Sequence, residues 1–279
     1  MEACRAGGPY CGRARILWRR FPGPLHVGLA GHAEQKLDIG RLAHAYLPGR
    51  EDEESDARNS SDTDSVPPPG ILAKLVATLD VISSGRAILG VGAGWSKTEF
   101  EGYSEWNDPE IRVDKTEEGV QLIQKLWHDP TVNFDGKYYE AKNAVLEPEP
   151  AQKPHPPLLF GGVGKRMLRL GGRYGDMCFI PPWVQNTTFV KAKEIVEKEA
   201  ERTGRKGKVS FGAGSPRANE NFDLKQVRKD VETAENNGCN FYIMPFPQGQ
   251  YVDALRAFAR DVLPSYSETG RRKVQAELS

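Results

Sequence analysis

From residue 71 onward the sequence alternates short apolar runs with longer segments of helical periodicity, and this alternation limits the fold more than any other feature. Buried parallel strands have continuous apolar runs, and helices that cover a sheet repeat apolar residues at spacings of three and four. The predicted strands are residues 87–91, 157–160, 177–180, 208–212 and 240–244. The predicted apolar helix faces are Val113, Thr116, Val120, Ile123 and Trp127, then Leu224, Val227, Val231 and Ala234, then Val252, Leu255, Ala259 and Val262. The pattern is typical of βα units around a parallel sheet.

One segment interrupts this alternation. Residues 131–150 (TVNFDGKYYEAKNAVLEPEP) are rich in strand-forming side chains around Asp135-Gly136, a dipeptide that favours a hairpin turn. We therefore predict a β-hairpin excursion between a helix and the next strand of the sheet.

The first 70 residues differ from the remainder. Residues 51–65 contain seven acidic side chains and only Arg58 as a base, so they lack the apolar surface that would offset their ordering entropy. Residues 66–70 (VPPPG) indicate an extended linker, and the strand-like pieces before them are residues 16–18 and 25–29. We predict an atypical N-terminal segment, 1–70, poorly ordered at least across 51–70, and a folded domain, 71–279.

Charge and cysteine usage exclude several classes of function. Lys plus Arg and Asp plus Glu both number 38, so the chain has no net field to attract nucleic acid. No apolar run approaches the roughly 18 residues of a membrane helix. The cysteines Cys4, Cys11, Cys178 and Cys239 form no CxxC pair, which argues against a zinc site and a disulfide framework. We expect a cytoplasmic enzyme that uses no metal, acts on a small molecule and binds neither nucleic acid nor membranes.

Two glycine-rich turns follow predicted strands and open predicted helices. The first contains Gly92, Gly94 and Trp95; it is not a dinucleotide fingerprint, since Trp95 stands where that motif needs glycine. Glycines there would let a planar ring approach the backbone, and the alternative is a tight βα turn without function. The second contains Gly161, Gly162 and Gly164, followed by Lys165 and Arg166. A helix N-terminus suits a phosphate, and the alternative is a turn with two solvated cations.

The run ILAKLVATLDVISSGRAILGVGAGW (residues 71–95) resembles the luciferase-like monooxygenase family. The resemblance continues through Arg112-Val113, through Glu117-Glu118, through FDGKYY (134–139) and through EPEPAQKPHPPLLFGGVG (147–164). It implies a (β/α)8, TIM-barrel-like fold that binds FMN or the deazaflavin coenzyme F420 at the C-terminal ends of the strands. The family's first three strands and their Asp-His pair are not recognisable in residues 1–70. The five strands predicted after residue 70 would therefore belong to a barrel that is incomplete at its N-terminus, since closure needs eight.

The resemblance implies three functional readings. With FMN the chain would be a flavin-dependent monooxygenase, and with the deazaflavin it would be a reductase or dehydrogenase that transfers hydride. Some deazaflavin-dependent sugar-phosphate dehydrogenases of the family carry a catalytic glutamate where Trp95 stands, which argues against that subgroup. The third reading is a non-catalytic or damaged flavin-binding barrel. In each case the protein supplies shape and electrostatics while the cofactor carries the chemistry.

The remaining site predictions are less specific. Trp183, after the strand 177–180, is a candidate for the substrate end of the site, and no catalytic residue is identified. Arg112, Glu117 and Glu118 read as solvated helix charges, His155 as a packing residue, and Asp176 as the cap of the turn before its strand. If residues 1–70 supply no barrel strands, the edges of the first and last strands are exposed, which favours aggregation or pairing with another chain; a homo-oligomer is one expectation.

Overall fold

The computed structural model describes residues 68–94, 97, 106–180, 189–214, 222–244, 246 and 250–266. The predictions for residues 1–67, for Trp95 and for Trp183 lie outside these ranges. One boundary is corrected: Pro69 and Gly70, predicted as the end of an extended linker, are instead the first residues of a helix. Proline is compatible with the first helical turn, because the N–H that it lacks has no partner there in any helix.

The described elements follow the predicted alternation. In chain order they are α1 (Pro69–Ile82), β1 (Leu89–Val91), α2 (Pro109–His128), β2 (Val132–Asp135), β3 (Glu140–Ala144), β4 (Leu158–Gly161), α3 (Lys165–Tyr174), β5 (Met177–Phe179), α4 (Phe189–Arg202), β6 (Ser210–Gly214), α5 (Leu224–Asn236), β7 (Phe241–Ile243), α6 (Tyr251–Asp261) and α7 (Leu263–Tyr266).

The five predicted strands form one parallel sheet in the order β1-β4-β5-β6-β7. Each observed strand overlaps its predicted range and differs from it by no more than two residues at either end. Each neighbouring pair in this order is consecutive along the chain except for the hairpin between β1 and β4, so the sheet grows in one direction. This is the strand arrangement of successive units of a (β/α)8 barrel.

The core lies between the sheet and its helices. The predicted face of α2 is buried at Val113, Val120, Ile123 and Trp127. The Trp127 indole N–H donates to the carbonyl of Ala73 at 3.1 Å, which joins α2 to α1. A buried tryptophan therefore contributes its apolar surface to the core while its polar atom is satisfied.

The predicted hairpin is present as the antiparallel pair β2 and β3. Glu118 of α2 holds its turn: one carboxylate oxygen accepts from the N–H groups of Tyr138 and Tyr139, both at 2.7 Å, and the other accepts from Lys137 N–H at 3.0 Å. The interpretation of Glu118 as a solvated charge is therefore wrong, because this carboxylate fixes three consecutive backbone donors.

At the N-terminal end of the sheet, side-chain oxygens hold the backbone where strands begin. The buried Asp80 accepts from the N–H groups of Ala87 (3.2 Å) and Gln152 (2.8 Å) and from the Gln152 amide (2.7 Å). Asp176 accepts from Leu158 N–H at 2.9 Å, and its other carboxylate oxygen pairs with Arg205. Asp176 thus joins the start of β4 to the start of β5, and the prediction that it caps the preceding turn is wrong.

Within the ranges given above, no helix combines the length and the apolar character that crossing a membrane requires. Over the same residues, no group of three histidine, cysteine or acidic side chains has the geometry to hold a metal ion.

Candidate functional site

The two glycine turns lie side by side at the C-terminal edge of the sheet. Their strands are hydrogen-bonded neighbours, with Val91 in register with Phe160. A Cβ added at Gly92 would lie 3.9 Å from the Gly161 carbonyl oxygen, and one added at Gly161 would lie 3.9 Å from the Val91 carbonyl oxygen. The two turns therefore share one edge of the sheet, and no side chain of these glycines separates their backbones.

The second turn ends in a helix N-terminus without a cap. Gly164 is the N-cap residue of α3, and no side chain in the described ranges caps it. The first intrahelical bond runs from Leu168 N–H to the Gly164 carbonyl at 3.0 Å. The N–H groups of the first turn accordingly have no intrahelical partner. A Cβ added at Gly164 would meet nothing within 4 Å, so this end of α3 offers backbone donors, a partial positive charge and room for an anion such as phosphate.

The two cations after this turn have different surroundings. Arg166 points to α2, where its guanidinium pairs with the Asp114 carboxylate and donates to the Glu110 carbonyl at 3.3 Å. The Asp114 carboxylate raises the pKa of Arg166 above its ordinary value. Lys165 is exposed and forms no ion pair with any residue of the described ranges. Of the two, Lys165 has the freer charge for an anion at the helix end.

Arg112, read from the sequence as a solvated charge, instead contacts the first glycine turn. Its Nε donates to the Ala93 carbonyl at 3.1 Å, and its Nη1 donates to the Asn107 carbonyl. Its guanidinium carbon lies 3.8 Å from the centroid of the Trp106 ring. Nothing local in the sequence indicates this, since Ala93 precedes Arg112 by 19 positions.

Glu117 was also read as a solvated charge, and this reading is wrong as well. Its carboxylate accepts from the guanidinium of Arg173 and, at 3.1 Å, from the hydroxyl of Tyr174. Glu117 therefore links α2 to the last turn of α3. His155, expected to pack, does so: its ring stacks on Trp127 with centroids 5.9 Å apart.

An aromatic cluster that the sequence analysis did not identify also lies beyond the C-terminal ends of strands. Phe246, in the connection after β7, has its ring centroid 5.9 Å from Phe222, 5.7 Å from Tyr251 and 5.8 Å from Phe258. Phe222 lies in the connection after β6. The cluster therefore provides apolar surface at the same edge of the sheet as the glycine turns.

A family model described as luciferase-like monooxygenase matches residues 65–244, which contain both glycine turns and all five parallel strands. The chain is 32% identical over 160 residues to an F420-dependent glucose-6-phosphate dehydrogenase of Nakamurella multipartita, covering 54% of this chain and 47% of that protein. It is 31% identical over 112 residues to an FMNH2-dependent dimethylsulfone monooxygenase of Pseudomonas putida, covering 40% of this chain and 31% of that protein. The chain therefore spans less than half the length of these relatives.

Two solved structures share the fold. An F420-dependent secondary alcohol dehydrogenase, in complex with an F420-acetone adduct, matches with a TM-score of 0.61 and 21% identity over 70% of this chain and 74% of that chain. A monooxygenase from Streptomyces bottropensis matches with a TM-score of 0.58 and 19% identity over 71% and 74%. These likenesses support the (β/α)8-barrel class, of which the described residues form five parallel strands.

Proposed function

Because this chain belongs to the luciferase-like monooxygenase family, we propose that it is a flavin-type oxidoreductase whose cofactor, FMN or F420, binds across the two glycine turns. One observation carries the proposal: two neighbouring strands end in glycine turns at one edge, and one of these turns leads into a helix whose start is capped by no side chain of the described residues. Such an edge is where barrel enzymes bind their ligands.

The cofactor phosphate would bind at the N-terminus of α3. The backbone N–H groups after Gly164 supply donors, and Lys165 adds a charge beside them. Each contact with a helix dipole contributes only about 0.3–1 kcal/mol, so the convergence of several N–H groups is what makes the site specific. Arg166 acts here by tying α3 to α2 through Asp114, and its contact with an anion would compete with that carboxylate.

The flavin ring would lie against the first turn. Gly92 and Gly94 place no side chain over the sheet edge, so a flat ring can approach the backbone there. Trp95 would form a wall of the ring pocket and Trp183 a wall of the substrate pocket. When bound, FMN would supply oxygen insertion into a small organic substrate, whereas F420 would supply hydride transfer.

The monooxygenase reading is our first choice. Tryptophan at position 95 replaces the glutamate that some F420-dependent sugar-phosphate dehydrogenases of the family use, and the matched protein of Pseudomonas putida is named as a monooxygenase. Hydride transfer with F420 is the alternative, because relatives and a solved structure named F420-dependent also match. We further propose a cytoplasmic location, a homo-oligomeric state and a boundary near residue 70 between the N-terminal segment and the barrel domain.

The test uses the full 279-residue chain, titrated with FMN, F420 and riboflavin, with absorption and fluorescence as readouts. The informative variant is Gly164→Asp. The backbone of Gly164, with φ −65° and ψ 136°, suits an N-cap residue, and a side chain has room there. An aspartate cap satisfies the helix donors and changes helix stability by only a few tenths of a kcal/mol relative to glycine. It also places a negative charge where the phosphate should bind.

We expect Gly164→Asp to keep or raise the melting temperature while it weakens FMN binding by about tenfold or more. Gly164→Asn is the matched control, because it caps the same donors without the charge and should weaken FMN binding less. Riboflavin lacks the phosphate, so its affinity should be insensitive to the aspartate. Unchanged FMN affinity in Gly164→Asp would refute the phosphate site. Failure of the wild-type chain to bind either cofactor would favour the third reading, a barrel that has lost its flavin.

A further inference from the structure

The first glycine turn needs a restraint from outside its own strand. Its register with the neighbouring strand ends at Val91 and Phe160, so the sheet ladder does not hold the carbonyl of Ala93. Glycines flank this carbonyl at positions 92 and 94, and Gly94 has a φ of +76°. Glycine is the residue with the most backbone freedom to lose on ordering, so the turn's own sequence does little to fix its shape.

Arg112 supplies that restraint. Its Nε–H donates to the Ala93 carbonyl at 3.1 Å, and a hydrogen bond from a charged donor is stronger than one between neutral groups. The guanidinium is itself immobilised, because Nη1 donates to the Asn107 carbonyl and the guanidinium carbon lies over the Trp106 ring, 3.8 Å from its centroid. Arg112 thus binds the chain on both sides of the connection between β1 and α2.

The same end of α2 also contacts the start of α3, the helix that follows the second glycine turn. Arg112 lies two positions from Glu110 and two positions from Asp114, the residues that bind Arg166 at the start of α3. The first two turns of α2 therefore contact both the first glycine turn and the start of α3. A change in these helical turns would alter how the Ala93 carbonyl is held relative to the N-terminus of α3.

On the basis of the proposed function, we infer that Arg112 is a positioning residue: it fixes the Gly92–Gly94 turn in the shape that accepts the flavin ring, and thereby sets cofactor affinity. It acts through the turn backbone and not by touching the reacting atoms. Lysine cannot replace it, because an ammonium group lacks the planar edge that donates two bonds while it stacks on an aromatic ring.

The experiment compares wild type, Arg112→Gln, Arg112→Lys and Arg173→Gln as full-length chains. Arg173 is the matched control: from α3 its guanidinium pairs with Glu117 of α2 and Glu199 of α4, and none of its contacts with the described residues reaches a glycine turn. The first readout is amide hydrogen exchange, without cofactor, in peptides that cover residues 89–94. The second is the affinity for FMN and F420, together with the visible absorption band of the bound ring.

We expect faster exchange across residues 92–94 in both Arg112 variants and not in Arg173→Gln. Cofactor affinity should fall by about tenfold, the loss typical of one hydrogen bond to a charged group, with a changed absorption band. Arg173→Gln should lower the melting temperature with near-normal affinity. Wild-type exchange in Arg112→Gln, or full rescue by Arg112→Lys, would overturn the inference even if FMN binds. Altered exchange in a chain that binds neither cofactor would refute the proposed function and, with it, the role of the turn in binding.

Discussion

The two ends of the parallel sheet are built differently. At the N-terminal end, the backbone N–H groups where strands begin are held by side-chain oxygens: Ala87 by Asp80, Leu158 by Asp176 and Phe211 by Asn240. At the C-terminal edge, β1 and β4 are followed by glycine turns, and no side chain of the described residues caps the start of α3. One end satisfies its polar groups internally, whereas the other leaves backbone donors available.

This difference separates stability from binding. Buried polar groups are costly unless they are hydrogen-bonded, so the N-terminal end contributes to the free energy of folding. A helix start with open donors contributes little to folding and suits an anionic ligand. In barrels generally, residues at the C-terminal ends of strands form sites, and those at the opposite end stabilise the fold. Substitutions at the N-terminal end should therefore lower the free energy of unfolding, whereas substitutions at the C-terminal edge should lower cofactor affinity.

The largest expected effect is that of Asp80→Ala, at the N-terminal end. The Asp80 side chain is fully buried, and its removal leaves the backbone donors of Ala87 and Gln152 without their acceptor. We expect the free energy of unfolding to fall by about 4 kcal/mol, the sum of the costs of such unsatisfied groups. Urea denaturation measures the loss. Cofactor affinity of the folded fraction should stay at the wild-type value. A loss of affinity without a loss of stability would contradict the separation of stability from binding between the two ends.

The second effect concerns pH and the ion-pair cluster where α3 and α4 end. Hydrogen bonds from Arg202, and then from Arg173, lower the pKa of Glu199 from 4.5 to about 2. A carboxylate whose pKa is lowered by folding stabilises the protein at pH values above its pKa in the unfolded state. That stabilisation is lost as the pH falls toward its pKa in the folded state. At roughly 1.4 kcal/mol per pKa unit, the contribution is about 3 kcal/mol at neutral pH.

Glu199→Gln should therefore be less stable than wild type above pH 5, and the difference should vanish as the pH falls from about 4.5 to 2. Denaturant unfolding at a series of pH values measures it. Lys206→Gln is a suitable control, because Lys206 forms an exposed ion pair with Glu201, which lies on the same helix as Glu199. A difference between wild type and Glu199→Gln that is constant with pH would show that packing, and not charge, is the cause.

The contrast between the two ends also explains what the sequence could predict. Parallel strands have a local signature, so residues 157–160 were identified within one residue of β4. The glycine turns were identified because they follow such strands. The partners of Asp80 and Arg166 were not, since they lie up to 72 and 56 positions away along the chain. A charged residue next to a helix or strand has the same local sequence whether it is solvated or bridges two elements, so only the assembled fold reveals its role.

The smallest expected effect on stability is that of Gly162→Ala, which is also the most informative test of the difference between the two ends of the sheet. Gly162 has a φ of +133°, a conformation that side chains rarely adopt, although an added Cβ would only reach ordinary contact with Met167 at 3.5 Å. The cost is thus backbone strain of about 1–2 kcal/mol. Gly204→Ala is its counterpart before β6, at the N-terminal end: φ is +72° and the added Cβ meets nothing within 4 Å. Both variants should lose similar stability in thermal unfolding, because both strain the backbone.

Only Gly162→Ala should lose FMN or F420 affinity, because relief of its strain turns the peptide away from the start of α3. Equal cofactor affinities in the two variants would mean that Gly162 is needed for the backbone conformation of the turn and not for cofactor binding.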